Sequence, residues 1–155
     1  MKKNKIFLFV VSCLGFLKSV PLMALIFDSW LKLWMLSTRP VVLDWIDEIE
    51  AEVLSWEGIT GTLHQYGGLQ FNLGKVEIGH IHSNGIMDVL FSRQFKQELM
   101  KEGQIEDHHL FTKSGWISFL ISSEEDKNYA KYLLGLSYER ELHKAKRGSL
   151  VNPFV

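Results

Sequence analysis

Cysteine is almost missing from this chain: Cys13 is the only one among 155 residues. Neither a disulfide framework nor a thiolate zinc site can form within one chain. A charge excess is missing too. Lys and Arg number 17 against 18 Asp and Glu, a formal net charge of −1. Nucleic-acid binders carry a basic stripe, so no nucleic acid is expected as a partner. No internal repeat and no low-complexity tract is present. Charged residues make up 23% and hydrophobic residues 46%. That balance belongs to a folded protein, and the length favours one domain with a sizeable core.

The apolar residues are gathered at one end. From Ile6 to Phe27 the chain reads IFLFVVSCLGFLKSVPLMALIF, with Lys2, Lys3 and Lys5 before it and Trp30, Lys32 and Trp34 after it. About 20 apolar residues suffice for a membrane-spanning helix, and the tryptophans sit where an interfacial belt would place them. Lys18 and Pro21 fall inside the run. The lysine-rich start and the Ile6–Leu17 stretch also suit a cleaved signal peptide, but Ser-Val-Pro-Leu-Met-Ala is a poor cleavage site. A helix buried on the domain is the third reading. Residues 1–36 are expected to be a hydrophobic N-terminal anchor, spanning the membrane or lying in its interface. The positive-inside rule puts the N-terminus in the cytoplasm and, if the segment spans, the domain on the far side.

Residues 37–147 carry the pattern of an α+β domain, and 148–155 read as a C-terminal tail. Pro40 suits a first helical position, with Ser37 or Thr38 before it as caps. Val42, Trp45, Ile46, Ile49, Val53 and Leu54 then recur at helical spacing. From Gly61 the period becomes two. Gly67-Gly68, Gly74-Lys75 and Asn84-Gly85 separate the runs Thr62–Tyr66, Leu69–Leu73, Val76–His82 and Ile86–Phe91, which is the pattern of a four-strand antiparallel meander. A short helix around Phe95 and Leu99, a strand over Gly115–Ile121 and a last helix entered through Ser123 complete the expected fold. It is an antiparallel β-meander sheet packed with helices, preceded by the N-terminal hydrophobic helix.

If each hairpin has a two-residue turn, register follows. His64 then faces Phe71, Leu69 faces His80, His80 faces Val89, and His82 faces Met87. Opposed residues share a face. This register puts His64, Tyr66, His80 and His82 on the apolar side with Leu69, Phe71 and Met87, and puts Gln70, Asn72, Glu77 and Asp88 on the other. A lone buried histidine is ordinarily a satisfied core residue, but each buried imidazole needs a hydrogen-bond partner. A cluster therefore implies a polar pocket. Asp107-His108-His109 adds two more imidazoles before the Gly115–Ile121 strand.

The same residues carry a resemblance. Trp56-Glu57-Gly58-Ile59, then HQYGGLQFNLGKVEIGHIHSNG, then DHHLFTKSGWISFLI and YLLGLSY follow the order of the luciferase-like domain family, fungal luciferase and its bacterial relatives. The chain is shorter than the fungal members, and SNGIMD follows His82 where they have a longer loop. The resemblance implies cofactor-independent oxidation by molecular oxygen. In the fungal member the substrate is a hydroxylated styryl-pyranone, and the reaction passes through a cyclic peroxide that loses carbon dioxide.

Chemistry of that kind needs an enolic or phenolic substrate that ionises in the site, so a small hydrophobic aromatic molecule is the expected partner, with oxygen as co-substrate and no other cofactor. His80 and His82 are the candidates for base and anion stabiliser, with His109 or His108 closing the site. His64, Tyr66, Leu69, Phe71, Met87 and Trp116 are the candidate substrate-binding residues. A histidine-ligated metal is the rival, from His80-x-His82 with His64 and one of His108 or His109. In the register above the nearest acid, Asp88, lies on the wrong face for it, so no metal is expected. A non-catalytic module binding an aromatic ligand at a membrane is the third alternative.

Overall fold

The computed structural model describes residues 21–101, 105–107 and 113–151. The first 20 residues of the expected anchor lie outside these. Helix α1 runs over Pro21–Thr38 and α2 over Pro40–Leu54. Strands β1 (Ile59–Leu63), β2 (Leu69–Leu73), β3 (Val76–Ile81) and β4 (Ile86–Leu90) follow, then α3 (Arg93–Lys101), β5 (Glu106–Asp107), β6 (Trp116–Leu120) and α4 (Glu124–Val151). The sheet has six strands in the order β1-β2-β3-β4-β6-β5, and every pairing is antiparallel. The α+β meander packed with helices is what the alternating pattern predicts. The α1 helix crosses the expected anchor boundary at residue 36, and α4 continues past residue 147 to Val151.

Local chemistry explains the helix ends. Arg39 occupies the cap position of α2, with proline in the first turn, where its missing N–H costs nothing. The Ser123 hydroxyl accepts from the Asp126 N–H at 3.1 Å, and the Asp126 carboxylate reaches back to the Ser122 N–H at 2.9 Å. The first bond is the half of a capping box that the Ser123–Asp126 spacing predicts, while the return bond reaches Ser122, one residue before the cap.

One face of the sheet is covered by α2 and α4. Phe71, Ile78, Ile81, Met87, Val89, Ile117 and Leu134 are fully or almost fully buried in one hydrophobic cluster. At about 1.5–3 kcal/mol for each fully buried large apolar side chain, this layer dominates the folding energy. Gly79 lies where α4 comes closest: a Cβ there would stand 2.8 Å from Leu134 Cδ2 and 2.9 Å from the Asp88 carbonyl oxygen.

The register differs from the sequence expectation in three places. The β1–β2 connection is not a two-residue turn at Gly67-Gly68. Strand β1 is Ile59–Leu63, Leu63 pairs with Leu69, and His64 to Gly68 form the connection. In the second hairpin Leu73 pairs with Val76 and Asn72 with Glu77, but Phe71 then pairs with Gly79, leaving Ile78 as an extra residue in β3. In the third, Ile81 pairs with Met87 and His80 with Asp88. The His82 N–H donates to the Ile86 carbonyl at 2.8 Å and the Gly85 N–H to the His82 carbonyl at 3.0 Å, so Ser83, Asn84 and Gly85 make a three-residue loop with Gly85 at φ +84°. A glycine in a strand favours a bulge, and a three-residue loop with a left-handed glycine is the next commonest hairpin. Each slip by one residue exchanges the faces.

Candidate functional site

The bulge at Ile78 delivers His80 to the sheet face turned away from the helices. There it pairs across the strands with Gln70 and Asp88, and Asp88 pairs with Ser118. The structure corrects the expected apolar-face placement of the histidines: Phe71 and Met87 belong to the helix-covered core, with Leu69 packed against it, and the sheet separates them from His80. Five of the candidate residues are brought together: His64, Tyr66, His80, His82 and Trp116. His108 and His109 lie outside the described residues.

His64 reaches the group from the β1–β2 connection. Gly67 and Gly68 take φ of +86° and +84°, which turns the loop across the end of β3. A Cβ on Gly68 would stand 2.1 Å from the Ile81 carbonyl oxygen. The loop is therefore pressed onto the Ile81–His82 backbone. His64 lies flat on His80, with ring centroids 3.6 Å apart and planes at 13°. His82 meets His80 edge-on at 5.1 Å. Tyr66 lies 5.4 Å from His64, and Trp116 lies 5.6 Å from His80 on the opposite flank.

Two carboxylates hold the centre of the group. His80 Nδ1 is 2.6 Å from Glu77 Oε1, and His80 Nε2 is 3.2 Å from Asp88 Oδ2. The same Asp88 oxygen lies 3.8 Å from His82 Nε2. The Ser118 hydroxyl donates to Asp88 Oδ1 at 2.5 Å. Exposure is 5% for His64, 4% for His80 and His82, and 1% for Asp88, so these interactions act in a weakly screened environment.

The electrostatics split the two stacked rings. Burial opposes the charge on His80, but hydrogen bonds from its ring to Asp88 and Glu77 outweigh that and raise its pKa to about 8. For His64 burial is the main cause and the neighbouring His80 the next, and together they lower its pKa to about 4. One stacked imidazole is thereby held charged and the other neutral at pH 7.

The residue-by-residue reading missed Glu77, Asp88 and Ser118 as partners of the histidines. Two-residue turns placed Glu77 and Asp88 on the opposite face. The available signal was Gly79, a lone glycine inside a strand pattern, which marks a bulge.

No curated protein and no solved structure matches the chain. A family model does: residues 75–137 match the one described as Luciferase domain. The matched stretch contains Glu77, His80, His82, Asp88, Trp116 and Ser118, while His64 and Tyr66 precede it. Over these residues the chain is similar to the luciferase domain, which agrees with the family to which its motifs point.

Proposed function

We propose that the domain is an oxygen-dependent oxidoreductase for an enolic or phenolic aromatic molecule, with the His64–His80–His82 cluster as its reaction centre. The observation that carries this reading is the burial of three imidazoles and Asp88 in one group on the sheet face that does not form the main core. Burying a polar group without full compensation costs about 1–3 kcal/mol, and apolar side chains would fill the space without that cost. Such clusters gather at functional sites. The imidazoles supply a proton acceptor for the substrate hydroxyl and donors for an enolate or peroxide oxygen. Tyr66 and Trp116 flank them with aromatic surface on which a planar substrate can stack.

An oxygen electrode with a panel of hydroxylated pyranones and phenols tests the reading, alongside mass spectrometry of small molecules retained by the purified chain. Oxygen uptake is expected from the wild type, falling by about 10²-fold or more in His82→Ala. Uptake no faster than that of heat-denatured protein across the whole panel would sink the proposal.

A second observation bears on where this happens. Helix α1 turns Met35 inward, and its Asp28 accepts hydrogen bonds from the Ser83 hydroxyl at 2.9 Å and the Ser83 N–H at 3.3 Å. Its outer side exposes Leu25, Ile26, Leu33 and Leu36, with Trp30 71% and Trp34 66% exposed. Ser29 and Thr38 donate their hydroxyl protons to the helix's own Leu25 and Trp34 carbonyls, each at 2.8 Å. None of the helices among the described residues is long and apolar enough to cross a membrane. We propose that α1 lies in the plane of a lipid interface, apolar side down, with the site's β3–β4 hairpin tied to its other side.

A further inference from the structure

We infer that His80, His82, Asp88 and His64 bind one divalent first-row transition-metal ion. The inference rests on reading the cluster as the reaction centre, and it names the ion that the centre holds. Donors arranged around such an ion have bonds of roughly 2.0–2.2 Å and stand roughly 3–3.5 Å from one another. His80 Nε2 to Asp88 Oδ2 is 3.2 Å, and His82 Nε2 to the same oxygen is 3.8 Å. The ring nitrogens offered by His64, His80 and His82 all lie within 4.8 Å of one another. His64, now stacked parallel to His80, would have to turn its ring out of that stack to aim a nitrogen at the ion, and it sits on a loop rather than on a strand.

The surroundings fit as well. The 2.6 Å contact from His80 Nδ1 to Glu77 fixes the proton on Nδ1 and turns Nε2 toward Asp88 and His82. A carboxylate behind a histidine is the usual outer support of a metal-binding imidazole. Ser118 holds Asp88 Oδ1 in the same way, leaving Oδ2 as the oxygen aimed at the two Nε2 atoms. Three imidazoles and one carboxylate suit zinc, iron or cobalt, whereas calcium and magnesium prefer oxygen-rich sites. The sequence argument against a metal depended on Asp88 lying across the sheet. Its position beside His80 removes that ground.

Cobalt(II) titration of the untagged full-length chain, after chelator treatment and dialysis, tests the inference through visible absorption and metal analysis. The expected result is saturable uptake of one ion per chain, with a higher melting temperature for the loaded protein. Affinity should fall by 10²-fold or more in His82→Ala and by about 10–100-fold in Glu77→Gln, which keeps the side-chain shape. His143→Ala, an exposed histidine on α4, should bind as the wild type does. Absence of saturable uptake by the folded wild type overturns the inference, as does equal uptake by the wild type, His82→Ala and Glu77→Gln. The two readings fail separately. Oxygen consumption undiminished in a chelator-treated chain that takes up no cobalt removes the metal and leaves the oxidase. One cobalt per chain with no oxygen consumption on any substrate removes the oxidase and leaves the metal site.

Discussion

Replacing Gly68 by alanine should damage the site far more than the same change at Gly74, although both glycines sit in hairpin connections with left-handed backbone. Gly68 has φ +84° and Gly74 φ +61°. An alanine in that region costs roughly 1–2 kcal/mol from the clash of Cβ with its own backbone. At Gly74 nothing lies within 4 Å of the added methyl, so that cost is the whole effect. At Gly68 the methyl would meet the Ile81 carbonyl oxygen at 2.1 Å and His82 Cα at 3.0 Å. Both are main-chain atoms, so no rotamer change relieves the contact. Forced overpacking of this sort adds about 1–3 kcal/mol, for a total of about 2–5 kcal/mol. For a chain of this size each kcal/mol moves the melting temperature by roughly 2–4 °C. Thermal melts followed by circular dichroism should therefore separate the two variants by several degrees. The loop must lift to make room, and His64 travels with it. Ring-proton chemical shifts of His64 and His80, which report their stacking, should move in Gly68→Ala and stay in place in Gly74→Ala. Equal melting temperatures together with unchanged shifts would refute the packing of the loop on β3.

Phe71→Ala should cost about 3–5 kcal/mol in urea unfolding yet leave cobalt affinity unchanged in the folded fraction, because Phe71 lies across the sheet from the histidines; a matching loss of affinity would contradict the two-face arrangement. Ser118→Ala removes the hydroxyl that donates to Asp88 Oδ1 and should destabilise the fold by about 1–3 kcal/mol, read from the same urea curves. Trp30→Glu combined with Trp34→Glu should release the full-length chain from sedimenting lipid vesicles. Retention of the double variant would show that the exposed face of α1 does not hold the membrane.

The sequence shows the order of the elements well and their faces poorly. Helix α2 announces itself through the spacing of Val42, Ile46, Ile49 and Val53, all of which are buried. The Gly74 turn and the strands beside it are equally legible, because a glycine at positive φ next to alternating residues leaves few alternatives. Which side His80 occupies is a different kind of information. It depends on whether Ile78 is counted within the ladder, and the free energy that settles this is tertiary. Ile78 packs into the core between sheet and helices, and Gly79 lets α4 approach. The two-residue period identifies neighbours on one strand but carries no memory across a bulge. The histidine cluster was therefore visible as a list of residues, while the carboxylates that organise it appeared only once the strands were paired.

The extra residue in β3 works as a phase shifter, and this limits how the chain can diverge. Upstream of Ile78 the strand keeps one alternation of inside and outside, and downstream it keeps the opposite one. Pairing the same residues as a continuous ladder would turn both imidazoles of the His80-Ile81-His82 segment toward the helices, into space shaped for hydrocarbon. Deleting the extra residue would instead remove the bulge and leave His80 opposite Gln70 on the outer face. A single insertion elsewhere in a loop would leave the cluster where it is. In relatives of this domain the bulge and the count of residues from that turn to the histidines should change together, the present count keeping the bulge and a strand one residue shorter dispensing with it.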